Sequence, residues 1–319
     1  MPRMCRCLLA LLASLGACQP RPAVRYDPLD STGGTGAGPT AVAQIVGLED
    51  PESVRYDADQ DVFFISNMFG YGSAKDGVGY ITRVPAGDLD QVQTFVEGGR
   101  NGVTLDAPKG MAIVGDTLWV TDIDVVRGFD KRSGRSVGTI DFRPMRPTML
   151  NDIAAGPDGT LRVTDTGIIM SDKGVVYRGG DRVYEVDAQH RIRVIAAGPQ
   201  LGRPNGIAWD ARGNRWLMVS FAPFGSAMTA LSGDARQVLV DGPGKFDGVE
   251  ALADGRVLYT CWNDSSVHVF QNGSDRRLIR NLPTPADIGV DTRRARVAVP
   301  LSAAGRVEVW SLGTGSGAL

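Results

Sequence analysis

The chain has 319 residues, of which 43% are hydrophobic, 22% charged and 7% aromatic, the make-up of a folded protein with room for a large core. Lys+Arg 34 against Asp+Glu 36 leaves a formal net charge of -2, which excludes a broad basic footprint for nucleic acid and a polyanionic tail. The 41 glycines and 18 prolines favour a turn-dense, all-β layout, and two histidines, His190 and His268, argue against a multi-histidine zinc site.

The first segment reads as an address. Arg3 and Arg6 precede an apolar run over 8–16 that is too short to span a bilayer, which predicts a secretory signal. Leu15-Gly16-Ala17-Cys18 resembles a bacterial lipoprotein box, so residues 1–18 are expected to be an export signal of the lipoprotein type. The competing reading is a plain signal cut near Ala17 or Ala23. In the first reading Cys5 and Cys7 leave with the signal, Cys18 takes the lipid and Cys261 stays alone. The chain is then exported, periplasmic and lipid-anchored through Cys18, with no other hold on the membrane. Residues 19–40 are rich in Gly, Pro, Ser and Thr, carry no apolar periodicity and read as a flexible tether. Gly33-Gly34-Thr35-Gly36 lies there and is no phosphate loop, because no strand precedes it and no Lys-Ser/Thr follows.

From residue 41 to 319 one unit is written six times. The openings are Pro51-Glu52-Ser53-Val54, Pro108-Lys109-Gly110-Met111, Leu150-Asn151-Asp152-Ile153, Pro204-Asn205-Gly206-Ile207, Phe246-Asp247-Gly248-Val249 and Pro285-Ala286-Asp287-Ile288. Turn signals such as Asp57-Ala58-Asp59, Gly156-Pro157-Asp158-Gly159 and Ala253-Asp254-Gly255 follow at matching places. Second strands are predicted over 62–65, 117–120, 160–163, 216–219 and 256–259, and outer hairpins over 182–195 and 266–279. Four short strands per repeat are the signature of a propeller blade, so the chain is predicted to be a six-bladed β-propeller. A solenoid is the rival fold, but its capping repeats are missing. The last unit ends on the strand 306–310 with no partner behind it. The stretch 41–46 supplies the missing strand and closes the ring.

In a propeller the opening of each innermost strand meets the central channel. The second positions, Glu52, Lys109, Asn151, Asn205, Asp247 and Ala286, therefore face one another. Polar channel mouths often hold only water. Here two carboxylates and two carboxamides from four repeats fall at one register, the oxygen-rich set preferred by calcium or another hard divalent cation. Zinc would ask for nitrogen or sulfur.

Taken together, the four loops around Glu52, Asn151, Asn205 and Asp247 resemble those of the regucalcin (senescence marker protein)/gluconolactonase family, and of the related paraoxonases and squid-type diisopropylfluorophosphatase. The resemblance runs over 41–319. It implies a catalytic calcium held by Glu52, Asn151, Asn205 and Asp247, and a lactone or related ester as substrate. Paraoxonases carry histidine where Lys109 stands and an acidic residue where Ser53 stands. The arginine and asparagine that hold sugar lactones have no counterpart in the second blade.

The chemistry expected of such a site is metal-dependent hydrolysis, with the cation polarising a carbonyl and lowering the pKa of water. Asp247 is the candidate base or nucleophile. Lys109 is the candidate substrate-binding residue, orienting an anionic group or a developing oxyanion, with a salt bridge to Glu52 or Asp247 as the alternative. Asp152 is expected to be structural, and Asp287 sits one place past the register. Thr121-Asp122 and Thr164-Asp165 are expected to bond between blades. His268 is placed on a strand away from the channel, His190 in a turn, and Cys261 inside a strand without a histidine beside it. The reading from another class is a non-catalytic propeller that binds a small molecule or a protein, with calcium as a pin.

Overall fold

The computed structural model describes residues 38–232 and 235–313; Cys5, Cys7 and Cys18, and with them the expected signal and anchor, lie outside the described residues. Six four-stranded antiparallel sheets follow one another along the chain. Blade 1 is built from Pro51–Asp57, Val62–Asn67, Tyr80–Pro85 and Gln93–Glu97, blade 2 from Pro108–Val114, Thr117–Asp122, Val125–Asp130 and Ser136–Asp141. Blade 3 uses Leu150–Ala155, Leu161–Asp165, Arg182–Val186 and Ile192–Ala197; blade 4 uses Pro204–Asp210, Arg215–Ser220, Ser226–Ser232 and Ala235–Gly242. Blade 5 is Phe246–Ala251, Val257–Cys261, Ser266–Gln271 and Ser274–Ile279. In blade 6 the strands Gly289–Asp291, Arg296–Leu301 and Arg306–Ser311 are completed by Thr40–Ile45 from the start of the domain, which pairs with Arg306–Ser311.

The sheets are buried on both faces because each blade is sandwiched between two others. Strand alternation sends Phe63 and Ile65 into one apolar cluster with blade 6, and Val62 and Phe64 into another with blade 2. Four more clusters fill the interfaces between blades 2 and 3, 3 and 4, 4 and 5, and 5 and 6. Six interfaces for six blades make a closed ring, which a solenoid would not. The continuous apolar second strands, which alternation alone leaves ambiguous, are what such two-sided burial requires.

Blades 6 and 1 are also joined at the axis. Val54 N–H donates to the Asp287 carbonyl at 3.1 Å and Asp287 N–H to the Glu52 carbonyl at 2.9 Å. The sixth innermost strand is the shortest: Pro285 and Asp287 make only isolated bridges before Gly289–Asp291 begins. One element has no counterpart in the repeat. Ile168–Ser171 and Gly174–Tyr177 form a separate hairpin inside blade 3, and Ser73 of blade 1 donates its N–H to the Met170 carbonyl while its hydroxyl accepts from Met170 N–H. Among the described residues no helix is long and apolar enough to cross a membrane.

Candidate metal centre

Innermost strands in blades 1 to 5 all slip register at the same place, between Pro51 and Ser53, Pro108 and Met111, Leu150 and Ile153, Pro204 and Ile207, and Phe246 and Val249. A bulge breaks the ladder and re-aims a side chain. It falls on the second position of every opening, the one that holds Glu52, Lys109, Asn151, Asn205 and Asp247. All five side chains are buried.

A bulge leaves backbone groups without ladder partners, and hydroxyls of the second strands take them up. Thr164 Oγ1 accepts from Asp152 N–H at 2.9 Å and donates to the Asn205 carbonyl of the next blade at 2.7 Å. Thr260 does the same between Gly248 N–H and the Ala286 carbonyl, and Thr121 donates to the Asn151 carbonyl. Both threonines singled out in the sequence therefore bond between blades. Their neighbours Asp122 and Asp165 instead cap the loops that lead into their own blades, accepting from Ala107 N–H and Met149 N–H. The small residue at the third position is explained by close approach. A Cβ on Gly206 would lie 2.3 Å from the Asp247 carbonyl oxygen, and one on Gly248 2.6 Å from the Asp287 Cα.

Charges crowd at this level. Burial is the largest cause that raises the Glu52 carboxyl well above its ordinary range, and Asp247 and Asp287 add to it. Asp247 is raised in the same way, by burial and then by Asp287, while Trp262 and Asn205 beside it draw it back. Glu52 Oε2 and Asp247 Oδ1 are buried with no hydrogen-bond partner. Two buried carboxylate oxygens without partners, on groups whose pKa burial raises, are an arrangement a divalent cation would relieve. The donor set, two carboxylates and two carboxamides at one register, fits that ion. Asn205 and Asp247 are brought into contact, and Glu52 and Asp247 into each other's field; Asn151 holds the same register on blade 3.

Lys109 does not form the salt bridge considered as its alternative role. Its Nζ donates to the Gly72 carbonyl at 2.6 Å and the Ala107 carbonyl at 2.9 Å, and among the described residues no carboxylate pairs with it. The salt bridge to Glu52 or Asp247 is not formed, because the loop over 68–79 supplies a carbonyl nearer than either acid. Burial lowers the Lys109 pKa, and Glu52, Asp122 and Asp50 oppose it.

Asp152 is structural, as expected. Its carboxylate accepts Ile153 N–H and Ile207 N–H, each at 2.7 Å, and so ties blade 3 to blade 4. Asp287, one place past the register, is buried against blade 1. It accepts from Ser53 Oγ at 2.6 Å, leaves Oδ1 without a partner, and is pushed up to about 7, mainly by burial. Arg55 lies next to it, 3.9 Å from Asp287 Oδ2 and paired to Glu250. This layer separates the mouth from a cavity of about 460 Å³ at the other end of the channel, lined by Arg55, Tyr56, Glu250 and Thr292. The sequence carried no sign of Trp262 beside Asp247 or of the Gly72 carbonyl on Lys109, since neither residue stands at the repeated opening.

The sequence of residues 51–290 matches the family described as the SMP-30/Gluconolactonase/LRE-like region. The chain belongs to that family. Among solved structures it is similar to a gluconolactonase candidate, 14% identical with a TM-score of 0.64 over 87% of this chain and 93% of the other. It is similar also to a gluconolactonase of Xanthomonas campestris, 14% identical with a TM-score of 0.64 over 86% and 95%. A chain of a nidogen–laminin complex is 17% identical with a TM-score of 0.57 over 73% and 81%. At these identities the likeness is one of fold. No curated protein matches the chain by sequence. For a member of the SMP-30/gluconolactonase family, the bulged openings are the part of the blade where family chemistry has to be sought, since the rest of each blade is occupied with packing.

Proposed function

We propose that this protein is a divalent-metal-dependent hydrolase of lactones or related esters, with calcium as the metal, exported and lipid-anchored through Cys18. The observation that carries the reading is the pair of buried, partnerless oxygens, Glu52 Oε2 and Asp247 Oδ1, at the register shared with Asn151 and Asn205. Membership of the SMP-30/gluconolactonase family supports the lactone as substrate class.

Glu52, Asn151, Asn205 and Asp247 would hold the cation, which supplies Lewis-acid polarisation of the substrate carbonyl and a more acidic water. Asp247 serves with its spare oxygen, either taking a proton from water or attacking the carbonyl itself. Trp262 and Asn205 flank that carboxylate. Lys109 has two of its three donors fixed on backbone carbonyls, which leaves one to steady a developing oxyanion. Substrate approaches past Phe69 and Tyr71 of blade 1, Tyr177 of the blade 3 hairpin and Phe224 of blade 4, all exposed.

The test is hydrolysis of a lactone panel, with phenyl acetate and a fluorophosphate, by the domain from residue 38 onward. It is run after chelation and after adding back calcium, magnesium, manganese or zinc. Activity is expected to need the metal and to fall by orders of magnitude in Asn205→Ala and Asp247→Ala. Turnover that survives chelation and both substitutions would defeat the proposal. A single turnover in ¹⁸O-water probes the role of Asp247: label in its carboxylate requires that it attacked the substrate and that water then opened the anhydride at the Asp247 carbon, whereas base catalysis puts the label in the product alone.

A further inference from the structure

Blade 5 brings together three side chains that the channel does not use. Cys261 ends the strand Val257–Cys261, Asp264 lies in the turn that follows, and His268 sits on the strand Ser266–Gln271. His268 pairs across the ladder with Tyr259, two residues before Cys261, so both side chains stand on the same face of the sheet. One ligand atom from each of Cys261, Asp264 and His268 lies within 4.8 Å of the others. We infer that this triad is a second metal site, separate from the channel mouth, which takes zinc or a similar borderline-soft divalent cation through Cys261 Sγ, His268 Nε2 and an Asp264 carboxylate oxygen.

The donors are the argument. Sulfur and imidazole nitrogen suit zinc, and neither is found among the channel ligands. The outer contacts of the histidine are those of a ligating imidazole. His268 Nδ1 lies 3.1 Å from Asp275 Oδ2, and a carboxylate on that nitrogen turns the Nε2 lone pair outward. Asp275 is itself held by the Tyr259 hydroxyl at 2.9 Å, and Tyr259 stacks on the His268 ring with centroids 4.7 Å apart. With Nδ1 as the donor, Nε2 faces Asp264 Oδ2 at 2.9 Å. A lone pair against a carboxylate needs a positive charge between them, either a proton or a cation. Cys261 Sγ beside this pair favours the cation, because sulfur adds a third ligand and does nothing for an imidazolium. Ser266 Oγ orients the other Asp264 oxygen at 2.5 Å.

Three protein ligands leave the fourth position to water. Asp264 and Asp275 keep 22% and 29% of their side chains exposed, which gives an ion a path in. The Cys261 thiol donates to the Gly244 carbonyl at 3.3 Å, and ligation displaces that proton. The site also has a neighbour of consequence: Trp262, the residue after Cys261, is the one that flanks Asp247. A metal here would clamp that wall of the channel mouth from behind.

Cobalt(II) titration of the full-length protein tests the site, because a thiolate on cobalt gives a near-ultraviolet charge-transfer band that oxygen ligands do not. The expected result is one equivalent bound with that band, displaced by zinc. The band should persist in Asp247→Asn and vanish in Cys261→Ser and in His268→Gln. Zinc should also raise the melting temperature of the parent protein and not that of His268→Gln, provided both melt cooperatively. Cobalt bound without the band, a band that survives in Cys261→Ser, or no binding to a cooperatively melting protein would each overturn the inference. So would NMR showing both His268 ring nitrogens protonated in excess zinc.

Discussion

Asp287 shows how far a single carboxylate can be moved by its place in the ring. It is pushed up to about 7, chiefly by burial, with the Arg55 charge and the Ser53 hydroxyl pulling the other way. With the metal chelated, the folded protein keeps a proton on Asp287 that the unfolded chain releases at its ordinary value of 3.8. The folded state then binds more protons than the unfolded one, so stability falls as pH rises from about 4 to about 7, and this contribution stops there. In chelator, the urea midpoint should drop over that range and drop less in Asp287→Asn; an unchanged slope would refute the assignment. Lys109 gives a second prediction. Lys109→Met leaves the Gly72 and Ala107 carbonyls buried without their donor, at about 1–3 kcal/mol each. Urea unfolding should register that loss, and amide exchange should quicken in the loop over 68–79.

The element that presents the site is the bulged opening, and its support is the second-strand hydroxyl of the blade before. Thr164 serves both its own blade and the next, so Thr164→Val orphans Asp152 N–H and the Asn205 carbonyl together. The expected cost is about 1–3 kcal/mol for each group, with weaker calcium binding because Asn205 loses its anchor; Thr164→Ser should keep both. Calcium titration of the two variants checks this, and equal affinities would show that the bulge holds itself. The openings were legible in the sequence because four of the six pair a polar second position with Ser or Gly at the third. The blade 3 hairpin was not: its strands are four residues long and its Val175, Val176 and Tyr177 are exposed, so no buried face left a pattern. Cys261 and His268 were read as unrelated because they lie seven apart on different strands, and only the ladder between those strands makes them neighbours.

The strand that completes the ring is held by hydrogen bonds more than by apolar burial. Thr40–Ile45 is exposed along most of its length, with only Ile45 in the core, yet it covers the full edge of Arg306–Ser311. A chain beginning at residue 38 should melt as the full domain does. One beginning at residue 47 should melt well below it and aggregate, since it exposes an unpaired strand edge and opens the core between blades 6 and 1. Equal melting temperatures for the two would mean that the closing strand is dispensable.

What the sequence by itself determined is whatever the repeat carries: six units, their strand faces, the closing strand, and the second positions where Glu52, Asn151, Asn205 and Asp247 recur. Periodicity is local, so it survives in one dimension. What only the tertiary structure decided is what loops and neighbouring strands do across the repeat. It put the Gly72 carbonyl on Lys109, Trp262 against Asp247, Asp287 on the Ser53 hydroxyl, and Cys261, Asp264 and His268 in one cluster. Those contacts depend on how the chain closes on itself, and closure leaves no period to read.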